Sequence, residues 1–321
     1  MLSVHLQSGR VEVRRERLPR LPRGFACIRL LAAGICSTDL ELQRGYYGFS
    51  GTPGHEFIGE VVAVSGAGSE WVGRRVAGEI NLACGRCNWC ARGLQRHCPA
   101  RTVLGIVNHP GAFREFLTLP VQNLHPVPAS ISTEQAVFIE PLAAACEILD
   151  QVKIPRGDPV ALLGDGKLGL LVAQVLQVHG SRVHLFGRHR EKMRFVEKAG
   201  VTTELIPKKL PERAYRWVVD ATGSPAGLRA AVTMCEPRGT VILKSTVHGL
   251  VSVDTAPVIV NEVTLIGSRC GRFEPAMRLL ASGKVDVTPL ISAAFPLDRA
   301  PEAFRKAATK GVLKVILRPP Q

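Results

Sequence analysis

The sequence is poor in aromatic residues and has no long apolar run. Phe, Trp and Tyr make up 5% of the 321 residues, whereas 46% are hydrophobic, which favours an aliphatic α/β protein over an aromatic-rich β-sandwich or a disordered chain. No segment reaches the ~18 unbroken apolar residues of a membrane span. The first 30 residues lack the apolar core of a secretory signal. We therefore expect a cytoplasmic protein with no membrane partner.

A framework of paired cysteines is also missing. Nine cysteines, an odd number, stand in a chain without a recognisable signal, which favours reduced thiols and metal binding over disulfides. The net charge is +14, but the basic residues are scattered from end to end. This scatter indicates a solvated basic surface with some attraction for a phosphorylated cofactor, and we expect no nucleic-acid partner.

Two sequence textures divide the chain into candidate domains. Short β-rich runs with Gly and Pro between them come first, at Val4–Leu6, Val11–Arg14, Phe25–Leu31, Phe57–Val64, Arg75–Gly78 and Phe113–Leu119. A helical pattern starts at Thr133. Strands then alternate with helices, at Val160–Leu163, Arg182–Phe186, Trp217–Asp220, Thr240–Leu243 and Thr264–Ile266, which predicts a parallel, doubly wound sheet. We predict domains over 1–150 and 151–287, with 288–321 returning to the first.

A glycine-rich turn joins the first strand of the second domain to a clear helix. A GxGxxG pattern alone is weak, and a simple packing turn is the alternative. Here the strand–turn–helix context favours a dinucleotide site, where glycines let the backbone approach a pyrophosphate at a helix N-terminus. The candidate cofactor-binding residues of this turn are Gly164, Gly166, Lys167, Leu168 and Gly169.

The next strand lacks the acidic residue that NAD-specific units carry at its tip to bind the adenosine ribose. The tip reads Gly187-Arg188-His189-Arg190 instead. Gly187 leaves room, and Arg188 and Arg190 are suited to pair with a 2′-phosphate. The pattern predicts NADP preference with NAD possible, although two solvated loop arginines would give the same sequence.

Four cysteines are concentrated within fifteen residues: Cys84, Cys87, Cys90 and Cys98. Four thiolates can close a tetrahedral shell, which is typical of a structural zinc site. A nucleic-acid zinc ribbon is the alternative, but ribbons pair two CxxC motifs across a longer span, and this segment lacks interleaved aromatic residues.

A second, dispersed set lies largely upstream and consists of Cys36, His55, Glu56 and Glu140. A lone Cys is usually a small buried hydrophobe, so each residue has an ordinary structural explanation. Together, Cys, His and carboxylate are the mixed ligands of a catalytic zinc that keeps one position open. Spacing alone does not show that these side chains meet.

The order of several motifs resembles the zinc-containing medium-chain dehydrogenases, in the branch with sorbitol, glucose, threonine and secondary-alcohol dehydrogenases. These motifs are GICSTD, GTPGHEFIGEVV, the four-cysteine segment, GAFREFLTLP, the EPL segment, GDGKLG and VVDATG. The resemblance implies a GroES-like β-barrel catalytic domain completed by the C-terminus, with an inserted Rossmann domain. It also implies a homodimer or homotetramer, and EVTLIGSR resembles a strand used in such assembly.

The resemblance assigns roles to residues of the dispersed set. Cys36 and His55 would bind the catalytic zinc, joined by Glu56 or Glu140. Thr38 matches the hydroxyl that takes the proton of the alcohol, and Asp39 matches an acid that orients the zinc ligands. Some relatives have a proton-relay histidine where this chain has Glu41.

These assignments predict an alcohol or polyol dehydrogenase with one catalytic and one structural Zn²⁺, acting on a small alcohol, sugar or carbonyl compound. A zinc-containing aldehyde or enone reductase and a non-catalytic redox sensor are the alternatives. Substrate identity is not encoded in one segment. Candidate wall residues of the substrate pocket are Tyr46, Tyr47, Phe49, Leu104 and Ile106.

Overall fold

The two ends of the chain combine into one mainly β unit. In the computed structural model, which describes residues 1–246 and 250–320, this unit comprises Met1–Glu140 and Ile291–Gln321. Its N-terminal strands and helices are β1 (Leu2–Gln7), β2 (Arg10–Arg15), β3 (Phe25–Ile35), α1 (Ser37–Gln43), β4 (Glu56–Val64), β5 (Arg75–Gly78), β6 (Asn81–Leu82), α2 (Asn88–Ala91), β7 (Thr102–Leu104), β8 (Asn108–His109), β9 (Phe116–Pro120), β10 (Leu124–Pro126) and α3 (Thr133–Ala136).

The remainder of the chain begins with the helix α4 (Ile139–Gln151), within which the division between the units falls. The second unit, Pro141–Leu290, contains β11 (Pro159–Leu163), α5 (Lys167–His179), β12 (Arg182–Gly187), α6 (Arg190–Glu197), β13 (Thr202–Leu205), β14 (Tyr215–Asp220), α7 (Pro225–Met234), β15 (Cys235–Leu243), α8 (Ala256–Val260), β16 (Thr264–Gly267) and α9 (Phe273–Ala281). The chain then returns to the first unit with β17 (Ile291–Pro296), α10 (Ala300–Ala307) and β18 (Lys314–Arg318).

A seven-stranded sheet organises the first unit. Its order is β10-β5-β4-β3-β18-β17, and β9 also pairs with β3. The antiparallel pairing of β18 with β3 carries the C-terminal strand next to the N-terminal ones. Apolar side chains of β3 and β4, among them Ile28, Leu30, Ile58 and Val61, are fully buried. This burial fixes the register that determines which residues leave the ends of β3 and β4 together.

A six-stranded sheet organises the second unit. Its order is β13-β12-β11-β14-β15-β16, and all neighbouring pairs are parallel. The central strand β11 is apolar because both of its faces are covered. The chain leaves β11 at the point where the strand order changes direction, which is where doubly wound sheets bind their ligands. The predicted parallel sheet is confirmed.

Several boundaries differ from the sequence prediction. The domain divisions, expected at 150 and 287, fall after residues 140 and 290. The helix expected from Thr133 is two helices, α3 and α4, and Ser132 caps the first through Gln135. Strand β9 starts at Phe116 rather than Phe113, because the preceding residues bind the backbone of Thr52, Pro53 and Gly54. Strand β13 was not predicted, since an edge strand needs no apolar pattern.

Across residues 1–246 and 250–320, no helix is both long enough and apolar enough to cross a bilayer.

Candidate metal and cofactor sites

The four cysteines of the 84–98 segment converge. The Sγ atoms of Cys87 and Cys90 lie 3.5 Å apart, those of Cys87 and Cys98 lie 3.7 Å apart, and those of Cys98 and Cys84 lie 3.5 Å apart. Helix α2 begins after Cys87 and brings Cys90 back one turn later. Zinc–sulfur bonds of about 2.3 Å in a tetrahedron require sulfur separations of about 3.8 Å. The four side chains therefore fit a zinc ion with no open position.

The thiols of this segment are not equivalent. The backbone N–H of Arg86, the thiol of Cys98 and the N–H of Cys87 lower the pKa of Cys84 to about 6, since they stabilise its thiolate. Burial and the neighbouring Cys87 raise the pKa of Cys90 to about 11. The thiol of Cys84 thus already favours the thiolate form that metals bind. The thiol of Cys90 would lose its proton only when a metal binds.

A second cluster brings together Cys36, His55 and Glu56, whose ligand atoms all lie within 4.8 Å of one another. Cys36 directly follows β3 and precedes α1, while His55 directly precedes β4. The antiparallel register pairs Gly34 with Glu56, so the end of β3 and the start of β4 lie side by side. The convergence that spacing could not show is therefore a consequence of strand pairing.

Asp39 holds the parts of this cluster together. Its side chain is fully buried, and it accepts hydrogen bonds from the backbone N–H of Cys36 at 2.8 Å and of Gly54 at 3.1 Å. His55 Nδ1 faces Asp39 Oδ1 at 3.5 Å, and no described residue gives this nitrogen a well-formed hydrogen bond. The other ring nitrogen of His55 is thereby left for a ligand.

Charges around the cluster act on His55. Burial lowers its pKa, but the charges of Asp39 and Cys36 outweigh burial and raise the pKa of His55 well above its usual value. A protonated imidazole cannot bind a metal. A cation held at the cluster would therefore have to displace a proton from His55.

Lys314, the first residue of β18, lies beside this cluster. It is fully buried, its Nζ is ion-paired with Glu56 Oε2, and it lies 5.5 Å from the centre of the Phe138 ring. Burial lowers the pKa of Lys314, but the nearby charges of Glu56 and Cys36 outweigh this and raise the pKa. Gly34 is required here, because a Cβ would lie 2.7 Å from Glu56 Oε2.

Two other predicted residues lie near the cluster. Thr38 Oγ1 is 3.7 Å from Cys36 Sγ. Glu140, in the first turn of α4, is not among the three converging residues. Burial raises the pKa of Glu140 to about 7, although the charge of His55 opposes this. The choice between Glu56 and Glu140 as metal ligand stays a prediction.

Glu41 lies on α1 at the position where some relatives have a relay histidine. Its Oε1 accepts a hydrogen bond from Arg44 Nη1 at 2.5 Å, one helical turn further on. This exposed ion pair holds the Glu41 carboxylate at the surface of the helix.

A cavity of about 630 Å³ opens next to the His55 segment. Its wall includes Tyr47, Phe49 and Ile106, three of the five predicted pocket residues, but neither Tyr46 nor Leu104. The remaining wall residues are Gly48, Ser50, Gly51, Thr52, Val107, Asn108, His109 and Pro110. Tyr47 and Asn108 both have positive φ angles, 59° and 51°. Such angles are unfavourable for side-chain-bearing residues and concentrate at functional sites.

The glycine-rich turn in the second unit has the geometry of a phosphate-binding loop. Gly164 has a φ of 111°, and a Cβ at Gly169 would lie 2.0 Å from the carbonyl oxygen of Gly164. Gly166, which caps α5, has no described atom within 4 Å of its ideal Cβ. The open backbone at Gly166 and the N-terminus of α5 are thus available to an anion. Lys167 and Leu168 form the first turn of that helix.

Arginines and an aspartate meet at the tip of β12. Arg188 and Arg190 are exposed, whereas Gly187 is buried. Asp165, in the glycine-rich turn, accepts hydrogen bonds from the backbone N–H of Arg188 at 2.8 Å and of His189 at 2.6 Å. Two arginines therefore stand in solvent beside a buried carboxylate.

Comparison with known proteins agrees with this arrangement. Residues 22–129 match the family "Alcohol dehydrogenase GroES-like domain", and residues 168–282 match the family "Zinc-binding dehydrogenase". The chain belongs to the zinc-containing medium-chain dehydrogenase/reductase family. The predicted fold class, a GroES-like domain with an inserted Rossmann-type sheet, is confirmed.

Individual members of the family match the chain over nearly its whole length. A sorbitol dehydrogenase of Halalkalibacterium halodurans is 27% identical over 91% of either chain, and an L-threonine 3-dehydrogenase of Coxiella burnetii is 29% identical over 93% of either chain. The crystal structure of a proposed zinc-binding dehydrogenase from Sinorhizobium meliloti 1021, bound to NADP, superposes with a TM-score of 0.90, 27% identity and 99% coverage of both chains. The chain is thus an oxidoreductase of this family.

Sequence reasoning did not anticipate two side chains of these sites. Lys314 lies 258 residues from Glu56, and an isolated lysine before an apolar strand resembles any solvated residue. Asp165 stood inside the glycine motif, at one of its variable positions. A possible signal was chemical, since the negative charge of a carboxylate repels a phosphate bound to the same loop.

Proposed function

We propose that the protein is a zinc-dependent dehydrogenase that transfers a hydride between NADP, its preferred cofactor, and an alcohol, polyol or sugar. The single observation that carries this proposal is the convergence of Cys36, His55 and Glu56 next to the hydroxyl of Thr38. A Cys–His–carboxylate set with a hydroxyl beside it is suited to a metal that activates an alcohol. The cytoplasmic location expected from the sequence is part of the proposal.

Cys36, His55 and either Glu56 or Glu140 would hold the catalytic zinc, and the four cysteines of the 84–98 segment would hold the structural one. When bound, zinc supplies Lewis acidity that lowers the pKa of an alcohol, and NADP accepts the hydride. The buried Asp39 orients His55 and keeps the backbone at Cys36 and Gly54 in place.

We assign the transfer of the alcohol proton to Thr38. Its hydroxyl can accept a proton from an alcohol at the site while donating its own onward, because a hydroxyl both donates and accepts hydrogen bonds. Glu41 is committed to Arg44, so it is not positioned as the relay group that a histidine would be. We infer that protons leave Thr38 through water rather than through Glu41.

Different residues are proposed to bind different parts of the cofactor. The N–H groups at Gly166 and the start of α5 bind the pyrophosphate, and Gly164 and Gly169 allow the turn to approach it. The exposed Arg188 and Arg190 bind the 2′-phosphate of NADP through charge-assisted hydrogen bonds. NADP is also the cofactor named for the Sinorhizobium meliloti structure.

Assembly is proposed to use the edge strand β16. This strand pairs only with β15 among the described strands. Leu265 in β16 and Ile259 and Val260 in α8 are 41%, 72% and 76% exposed, so exposed apolar side chains occur both on this edge strand and on the helix that precedes it. A second copy would cover both features. We expect a homodimer or homotetramer, which light scattering after size exclusion measures.

The decisive experiment combines metal analysis with a substrate panel. We expect two zinc ions per chain by mass spectrometry, and reduction of NADP, more than of NAD, with at least one polyol, sugar or secondary alcohol. The reverse reaction with aldehydes and ketones is run in parallel. A chain that binds zinc and NADP but converts no alcohol or carbonyl compound would contradict the proposal and favour a redox sensor.

A further inference from the structure

The tip of β12 cannot carry the acidic side chain that usually binds the adenosine ribose. A Cβ at Gly187 would lie 2.5 Å from Met193 Sδ and 2.8 Å from Asp165 Cβ. Both distances are shorter than real Cβ contacts, so a side chain at Gly187 would have to displace its neighbours. The missing side chain at Gly187 therefore does more than leave room for a phosphate, because atoms of Met193 and Asp165 already occupy the space that a side chain would need.

The group that fills this space is itself a carboxylate. Asp165 Oδ2 lies 2.9 Å from the ideal Cβ position of Gly187, which places the charge beside the spot from which a strand-tip acid would project. Asp165 is 7% exposed. Its charge is consequently screened less by solvent than those of the exposed Arg188 and Arg190.

The two oxygens of Asp165 have different surroundings. Oδ2 accepts from the backbone N–H of Arg188 and of His189, and it lies 3.0 Å from His189 Nδ1. No described residue donates a hydrogen bond to Oδ1. The first oxygen thus fixes the loop that follows β12, while the second keeps its lone pairs for a donor from outside the chain.

We propose that Asp165 determines cofactor specificity by accepting a hydrogen bond from a ribose hydroxyl of NAD. This inference rests on the proposed function, because it assumes a nicotinamide dinucleotide in this site. Asp165 then supplies, from the glycine-rich turn, the carboxylate that NAD-specific units carry at the strand tip. The same charge repels a 2′-phosphate and so opposes Arg188. The protein binds both cofactors, and Asp165 limits its preference for NADP.

The test is calorimetric binding of NAD and of NADP, without substrate, to the zinc-loaded protein and to Asp165→Asn. Asn keeps an oxygen for the N–H groups of Arg188 and His189 but removes the charge. We expect the Kd of NAD to rise roughly tenfold, the usual effect of losing a hydrogen bond to a charged group. The Kd of NADP should stay the same or fall.

Matched variants separate specificity from folding. Asp158→Asn removes a carboxylate that accepts a hydrogen bond from Trp217 Nε1 at 3.0 Å. Asp158 lies just before β11, at the opposite end of that strand from the glycine-rich turn. This variant should leave both Kd values unchanged. Asp165→Ser tests the same prediction if Asp165→Asn does not fold. Equal losses for both cofactors, or no change for either, would overturn the inference and leave Asp165 as a loop anchor or a bystander. If the parent binds neither cofactor, the proposed function itself fails.

Discussion

The two candidate metal centres of the first unit are built on opposite principles. The 84–98 segment gathers four sulfurs of one kind from a short stretch of chain, with only small elements such as α2 between them. The Cys36 cluster gathers three different side chains from the paired ends of β3 and β4 and surrounds them with Asp39 and Lys314. We expect the first centre to depend on its metal for its shape, whereas the pairing of β3 and β4 determines the shape of the second.

This contrast has consequences for stability and activity. Four sulfurs without a metal would be separate thiols on a loop, so the binding energy of zinc there is folding energy. At the Cys36 cluster, strand pairing and the buried Asp39 hold the ligands before a metal arrives, so metal binding there should contribute less to folding. Substitutions in the two centres should therefore change different measured quantities.

The largest expected effect is on turnover when the Cys36 cluster loses a ligand. Cys36→Ala should lower kcat by about 10³-fold, because metal activation of an alcohol contributes several kcal/mol to the barrier. Its Tm should stay within about 2 °C, since β3 and β4 remain paired. Steady-state kinetics and calorimetry measure both quantities. Cys27→Ala, at a half-buried cysteine within β3, the strand that Cys36 follows, is the matched control with normal activity.

Retained activity of a metal-free Cys36→Ala preparation would show that the cluster does not carry the chemistry. A large fall in its Tm would instead show that both centres are structural, and the contrast between them would disappear.

The next effect is on stability when the four-cysteine segment loses a ligand. Cys98 is fully buried, and Cys98→Ala should lower the free energy of unfolding by at least about 3 kcal/mol, a cost typical of losing a structural metal. Bound zinc should fall from two ions to one. Turnover per folded molecule should persist at low temperature. An unchanged Tm and two bound zinc ions in this variant would show that the four-cysteine segment is not a structural metal site. The proposed difference between the two centres would then be wrong.

A comparable loss of unfolding free energy is expected when the buried ion pair between Lys314 and Glu56 is broken. Lys314→Met leaves Glu56 charged and uncompensated, which should cost about 3 kcal/mol of unfolding free energy in the zinc-depleted protein. The double variant Lys314→Met with Glu56→Gln should recover most of that loss. Chemical denaturation measures each value, and Lys284→Met, at an exposed lysine, should have no effect.

The same measurement on the zinc-loaded protein distinguishes Glu56 from Glu140 as the third zinc ligand. If Glu56 binds the catalytic zinc, the metal compensates its charge, and Lys314→Met should cost less with zinc than without it. Equal losses in both forms would favour Glu140 as the third ligand.

What the sequence could predict also differs between the two centres. The spacing of Cys84, Cys87, Cys90 and Cys98 indicated a metal site directly, because all four ligands are local. The Cys36 cluster depends on strand register, so the family resemblance was needed to connect Cys36 with His55. Lys314 was missed altogether, since its contact with Glu56 requires the C-terminal strand to pair with β3.

The second unit was easier to predict than the first. Strands alternating with helices and the GDGKLG turn predicted a parallel sheet, because each of these signals is local. Positions that depend on packing were not accessible, such as the carboxylate of Asp165 lying in the side-chain space of Gly187. The break between α3 and α4 was missed for the same reason, since the apolar pattern continues through Val137 and Phe138.

The two centres are connected by the segment that follows the four cysteines. Gly111 donates its N–H to the carbonyl of Thr52 at 2.7 Å, and Ala112 donates to that of Gly54 at 2.8 Å. A Cβ at Gly111 would lie 2.2 Å from the carbonyl oxygen of Pro53. The backbone just before His55 is therefore positioned by the chain that leaves the structural centre.

The smallest predicted effect tests this connection with a residue that binds no metal. Gly111→Ala should push Pro53 and Gly54 away and cost about 2 kcal/mol, as overpacking does. Since Gly54 donates to Asp39, the affinity of the Cys36 cluster for zinc should fall about tenfold, as it does when groups that orient the ligands are lost. Gly267→Ala, where no described atom lies within 4 Å, is the control. Competition with a chelator measures both sites, and equal weakening at the four cysteines would mean that the segment acts on the whole unit rather than on His55.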